Sequence, residues 1–264
     1  MTKKKKVAKK IFIWFTILSL FFSLKKIIAF ASSKMETDDQ ISYKEQPAKT
    51  KNNLLIGMRT TQENTSNVES YKLPVPLINQ MSEPALKYGC EVTALSMLLG
   101  YYHFDYSKND LQDRIEKVPY QDEVGYLGDP DEGFVGDATG KNLGTGVNVG
   151  PIEKLARSVV NENYTVINST GEELDHLLGL VKEGHPIWVV VTIDYSVPKS
   201  SDFLDWRTKN GIKQVSFKHH AAVIIGFDQE NVYLNDAYGK EVKIEKSKFN
   251  QIYQNMGKQS LYLK

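Results

Sequence analysis

A single cysteine, Cys90, stands in 264 residues. One thiol forms no internal disulfide and offers neither a CxxC pair nor a Cys/His spacing for structural zinc, so disulfide scaffolds and zinc ribbons are excluded. Basic charge is also scarce where a nucleic acid would need it. The first 31 residues hold eight lysines and no acid, which leaves the remainder at −7 against +1 for the whole chain. A mildly acidic body with no basic, aromatic-interleaved stripe after position 31 does not suit a nucleic-acid partner. The chain has no internal repeat, no Walker phosphate loop and no set of membrane helices. What is present is 41% hydrophobic and 25% charged, enough to bury one good-sized core but cramped for two.

The N-terminus reads as a targeting segment. Six lysines between positions 3 and 10 precede an apolar run from Ile11 to Leu24, and Ala29-Phe30-Ala31 has the small-x-small form of a cleavage site. Residues 1–31 are therefore expected to be a secretory signal peptide. Lys25-Lys26 interrupts the approach to the site and keeps an uncleaved membrane anchor as the alternative. Either way the rest of the chain is expected outside the cell. Residues 32–72, rich in Ser, Thr, Asn, Gln, Lys and Glu, are expected to be a flexible linker, and residues 73–264 the folded domain.

Leu73-Pro74-Val75-Pro76-Leu77-Ile78 reads as an edge strand or extended lead-in, because its prolines remove ladder donors. A mostly buried helix is predicted from about Cys90 to Tyr102, with Val92, Leu95, Leu98 and Leu99 on one stripe. Ser107-x-x-Asp110 opens a short amphipathic helix, Pro151 starts one to Val159, and Thr170-Gly171-Glu172-Glu173 is a capping box for another through Lys182. Between them, positions 125–150 hold eight of the 18 glycines. A long glycine-rich loop inside a compact domain is usually functional or disordered. Asp129 and Asp131 within it read as turn residues, since no twelve-residue EF-hand loop closes on a Glu. No metal or cofactor is expected.

The second half is strand-rich. Ile187 to Ile193 is a β-branched run suited to a strand covered on both faces. After a polar excursion at 196–212, His219-His220 leads into a core strand to Asp228. Asp228-Gln229-Glu230-Asn231 then turns into Val232 to Asp236. A strand at 241–244, a helix near 247–255 and a last strand near Leu261 complete the chain. Helices first and strands second favour an α+β fold over a doubly wound sheet.

A lone thiol is either buried and inert or reactive on purpose. Cys90 sits at a helix start, where the macrodipole lowers a thiol pKa and favours the nucleophilic thiolate. His220, at the head of a core strand, is the natural base, and Asp236, ending the neighbouring strand, is placed to fix its tautomer. Gln80, ten positions before the cysteine, offers an amide donor for an oxyanion beside the Cys90 N–H. His219 competes with His220. Singly these are weak, but Cys at a helix start with His and Asp on later strands follows the general layout of papain-like peptidases.

The segment Tyr88-Gly89-Cys90-Glu91-Val92-Thr93-Ala94-Leu95 resembles the nucleophile motif of the stand-alone C39-like cysteine peptidases of secreted bacterial proteins. The likeness continues in Gly128-Asp129-Pro130, Gly184-His185-Pro186-Ile187-Trp188-Val189, His220 to Asp228, and Val232 to Gly239, over about residues 73–262. It implies a papain-like α+β fold, the nucleophile helix packed on an antiparallel sheet, and thiol peptidase chemistry. Cys90 would be the nucleophile, His220 the base, Asp236 its orienter and Gln80 the oxyanion donor. Ala237 stands where the family often has Pro. The expected partner is a peptide or cell-wall-associated substrate, with any membrane contact only through the N-terminal segment. A non-catalytic peptide-binding or adhesion module and a cysteine acyltransferase remain open on the same residues.

Overall fold

The structure, a computed structural model, describes residues 70–264; the expected signal peptide and nearly all of the expected linker lie outside them. In chain order the elements are β1 (Tyr71–Lys72), α1 (Cys90–Tyr101), α2 (Lys108–Arg114), β2 (Lys117–Val118), β3 (Phe134–Val135), α3 (Val149–Val159), β4 (Val166–Asn168), α4 (Leu174–Lys182), β5 (Ile187–Thr192), β6 (Phe203–Thr208), β7 (Gly211–Ser216), β8 (His219–Phe227), β9 (Asn231–Asp236), β10 (Lys240–Glu245), α5 (Lys246–Asn255) and β11 (Ser260–Leu263). Seven strands form one antiparallel sheet in the order β10-β9-β8-β5-β11-β4, with β1 also pairing β8.

The apolar run of α1 is buried without a break from Cys90 to Leu99, and it packs on β8 and β5 with α2 and α3 beside it. Each fully buried Leu there contributes roughly 1.5–3 kcal/mol, so this helix anchors the core. Trp188 of β5 donates from its indole N–H to the Glu91 carbonyl at 3.0 Å, tying the first turn of the helix to the sheet. β5 is buried along its whole length, as its continuous β-branched run predicts.

Three expectations change. The capping box at Thr170 does not form: α4 starts at Leu174 after Glu173, and the Thr170 hydroxyl pairs with the Ser260 backbone instead. α3 starts two residues before Pro151, which still falls in the first turn, where no intrahelical N–H is required. The polar excursion at 196–212 contains most of a hairpin, β6 with β7, whose exposed positions include Asp205, Arg207 and Gln214. Its inner face holds Trp206, whose indole N–H donates to the Gly128 carbonyl at 2.7 Å. The glycine-rich segment is thereby docked: Leu127 N–H bonds the Arg207 carbonyl at 2.9 Å, and the Asp129 carboxylate accepts from Asn210 at 2.9 Å.

β8 carries a bulge between Ile224 and Gly226. A Cβ at Gly226 would lie 2.2 Å from the Tyr71 carbonyl oxygen, so only glycine lets β1 pair there. Gly226→Ala is expected to lower stability by about 1–3 kcal/mol, limited by how far the two-residue β1 moves off. Thermal unfolding checks this, and an unchanged midpoint would count against the close approach.

Candidate active site

Strand parity separates the two adjacent histidines. On β8 successive side chains point to opposite faces, so His219 and His220 serve different neighbours. Ala222 pairs Asp236 across the β8–β9 ladder, and His220, two residues earlier, shares their face. His220 Nε2 lies 3.3 Å from Asp236 Oδ1. Both residues are buried, at 1% and 0% exposed. The Tyr238 ring stacks on the imidazole, 5.3 Å between centroids at 19°.

The Asp236 carboxylate receives two further donors. Tyr238 N–H reaches Oδ1 at 2.6 Å, and the Tyr195 hydroxyl reaches Oδ2 at 2.5 Å. Burial pushes this carboxyl up, but His220, by hydrogen bond and charge, then Tyr195 and the Tyr238 N–H outweigh it and hold it below the usual range. Burial and the Asp236 charge hold the Tyr195 hydroxyl protonated, so it remains a donor. Tyr195 has φ 51, a left-handed backbone that a bulky residue rarely adopts, in the turn after β5. Because an ionised carboxylate only accepts, Nε2 of His220 is the donating nitrogen and Nδ1 is the one left to take a proton.

Cys90 opens α1, is 6% exposed and has Gly89 as an N-cap without side-chain bonding. Its thiol lies against the Ala221 backbone, one residue from His220. The expected thiolate at a helix start does not hold in this resting structure. Burial pushes the thiol well above its usual range, the Glu91 carboxylate adds to that, and the opposing Ala221 backbone is outweighed.

Gln80 is 1% exposed and is held near the Asp236 turn by its own N–H on the Ala237 carbonyl at 2.6 Å. Its side-chain amide donates to the carbonyls of Lys87 at 2.9 Å and Leu86 at 3.3 Å, while Oε1 has no hydrogen-bond partner. The amide therefore braces the turn that delivers Cys90, and the 3.3 Å bond is the weaker of its two commitments.

His219 faces the other way, with Nε2 3.4 Å from Glu91 Oε1. Burial and then the neighbouring His220 lower its pKa to about 4, so this is a neutral imidazole beside a carboxyl and not an ion pair. Sequence reasoning passed over Glu91, Tyr195 and Tyr238. Glu91 looks like an ordinary acid complementing a helix dipole, and nothing local marks Tyr195. Among the described residues no group of three or more His, Cys, Asp or Glu is arranged to hold a metal ion.

A buried helix bearing a cysteine at its start, packed on an antiparallel sheet whose neighbouring strands bring a His and an Asp together, is the architecture of a C39-like peptidase fold. A solved structure of a candidate C39-like peptidase from Bacillus anthracis matches with a TM-score of 0.70 at 34% identity, over 74% of this chain and 98% of that one. The chain belongs to the Peptidase_C39 like family, which matches residues 72–261. It is 36% identical over 192 residues to YvpB of Bacillus subtilis strain 168, an uncharacterized protein, covering 72% of this chain and 75% of that one.

Proposed function

We propose that the chain is an exported cysteine peptidase that cleaves a peptide or cell-wall-associated substrate through an acyl-enzyme on Cys90. The observation that carries this reading is the buried His220–Asp236 pair, with Nε2 on the carboxylate and Nδ1 left as the base, beside the start of the cysteine helix. Since the resting thiol is protonated, His220 Nδ1 takes its proton as Sγ attacks the substrate carbonyl carbon. Asp236 stabilises the imidazolium that forms and keeps the ring from turning. The Cys90 N–H, in the first turn where a helix has no partner of its own for its donors, supports the oxyanion, and Gln80 joins it by releasing the long bond to Leu86. Collapse of the tetrahedral intermediate breaks the C–N bond, and the leaving amine takes the proton from His220. Water, deprotonated by the same ring, then hydrolyses the thioester and restores the thiol.

Export rests on the lysine-rich start, the apolar run from Ile11 to Leu24 and Ala29-Phe30-Ala31. Incubating the protein with a defined peptide library, with and without an added amine, and weighing the products tests the chemistry. Hydrolysed products that need Cys90 support the peptidase, and amine-conjugated ones would assign it to acyl transfer. If no peptide is consumed, or consumption persists in Cys90→Ala, the enzymatic reading fails and a binding module takes its place.

A further inference from the structure

The proposed mechanism has no use for Glu91, yet this carboxyl is fully buried directly after the nucleophile. Three neighbours prevent it from moving away. Oε1 accepts from the Val147 N–H at 3.2 Å, the residue's own carbonyl is held by Trp188, and Gly146 presses in so closely that a Cβ would sit 2.2 Å from Oε1. Gly146 has φ 151, so the glycine-rich loop needs this residue type to reach the carboxyl. The Cys90 thiol hydrogen-bonds to the same carboxyl, which sets it directly beside the sulfur. From β8 it is the neutral His219 that faces the carboxyl, at 3.4 Å. Around the thiol itself, Asp236 from β9 adds a further negative charge and Tyr195 only a protonated hydroxyl.

We propose that Glu91 is a positioning residue that acts as a latch, holding the Cys90 thiol in its unreactive protonated form until the carboxylate is neutralised. A fixed negative charge beside a sulfur opposes the thiolate more strongly inside a protein than in water, because the surrounding medium screens it less. The carboxyl itself releases its proton only near neutral pH, since burial raises it to about 7. The latch is therefore set above that pH and open below it. As an account of regulation this rests on Cys90 being the nucleophile, but the thiol is read out without any substrate.

The test is the rate of iodoacetamide alkylation of the full-length chain from pH 5.5 to 9, in which Cys90 is the only cysteine. Glu91→Gln keeps the shape and an oxygen for Val147 but removes the charge. It is expected to react about tenfold faster than the wild type above pH 7, with the gap closing below about pH 6. His219→Gln loosens the same pocket while leaving the carboxylate, and is expected to give no such acceleration. Equal or slower alkylation of Glu91→Gln at every pH would overturn the latch. Equal acceleration in His219→Gln would do so too, by showing that access and not charge limits the thiol. Peptide hydrolysis failing while Glu91→Gln accelerates alkylation would remove the peptidase reading and keep the latch; the reverse pair of results would remove only the latch.

Discussion

Cys90→Ala and His220→Ala are each expected to lower kcat/KM for peptide hydrolysis on the order of 10⁴-fold, and the double variant is expected to be no worse than either alone. The magnitude follows from what each group supplies: the nucleophile, and the base that makes it one. The non-additivity follows from their acting as a unit, since a thiol without a base and a base without a thiol are equally idle. Asp236→Asn should fall between wild type and these variants in rate but cost more in stability. Three donors converge on the carboxylate, from His220, Tyr195 and the Tyr238 backbone, and an amide offers one of them an N–H in return. The checks are steady-state rates on a peptide selected from the library and thermal midpoints of the same preparations. A His220→Ala variant within tenfold of wild type would dismiss the histidine as base.

Much of this arrangement was legible from pattern alone, and the reason is periodicity. The stripe of Val92, Leu95, Leu98 and Leu99 after Cys90 has the period of a mostly buried helix, and the β-branched run from Ile187 is that of a covered strand. The hairpin about the four-residue turn was legible too, but not what puts His220 and Asp236 on one face: the register shift between Ile224 and Gly226 pairs Asp236 with Ala222 instead of Val223, and so turns it to the side of His220. What escaped had no period to betray it. In the β6–β7 hairpin Leu204 and Ile212 are exposed while Thr208 and Ser216 are buried beside Trp206, so no apolar alternation marks its strands. Tyr195 lies only 41 residues before Asp236 in sequence yet meets it through a turn whose positive φ no residue type announces. Gln80 was placed by position, and position did not reveal that its amide would spend its donors on Leu86 and Lys87. The raised Cys90 thiol is not legible for a related reason: a helix start is visible in sequence, whereas burial beside a buried acid is a property of the packed core.

That buried acid leads to an expected pH dependence of folding in which two large terms oppose each other. Burial raises the Glu91 carboxyl from 4.5 to about 7, so between those values the folded protein keeps a proton that the unfolded chain has released. Stability attributable to Glu91 therefore falls as pH rises through that window, by about 3 kcal/mol in total. Burial lowers His219 from 6.5 to about 4, so there the unfolded chain binds a proton that the folded protein refuses. Stability attributable to His219 rises with pH between 4 and 6.5, again by about 3 kcal/mol. In the overlap, from pH 4.5 to 6.5, the unfolded chain has both side chains charged and the folded protein has both neutral. Each state binds the same number of protons, and the pair contributes no slope. Urea unfolding at pH steps from 4 to 8 is thus expected to be nearly flat across the overlap for the wild type, rising for Glu91→Gln and falling for His219→Gln. Parallel curves for the three proteins would mean that the carboxyl and the imidazole are not both neutral at 3.4 Å. Folding on this account transfers a proton from the imidazole to the carboxyl, which explains how an acid and a base are buried together without forming an ion pair. It also leaves the charge beside Cys90 to return just where the carboxyl ionises, near neutral pH.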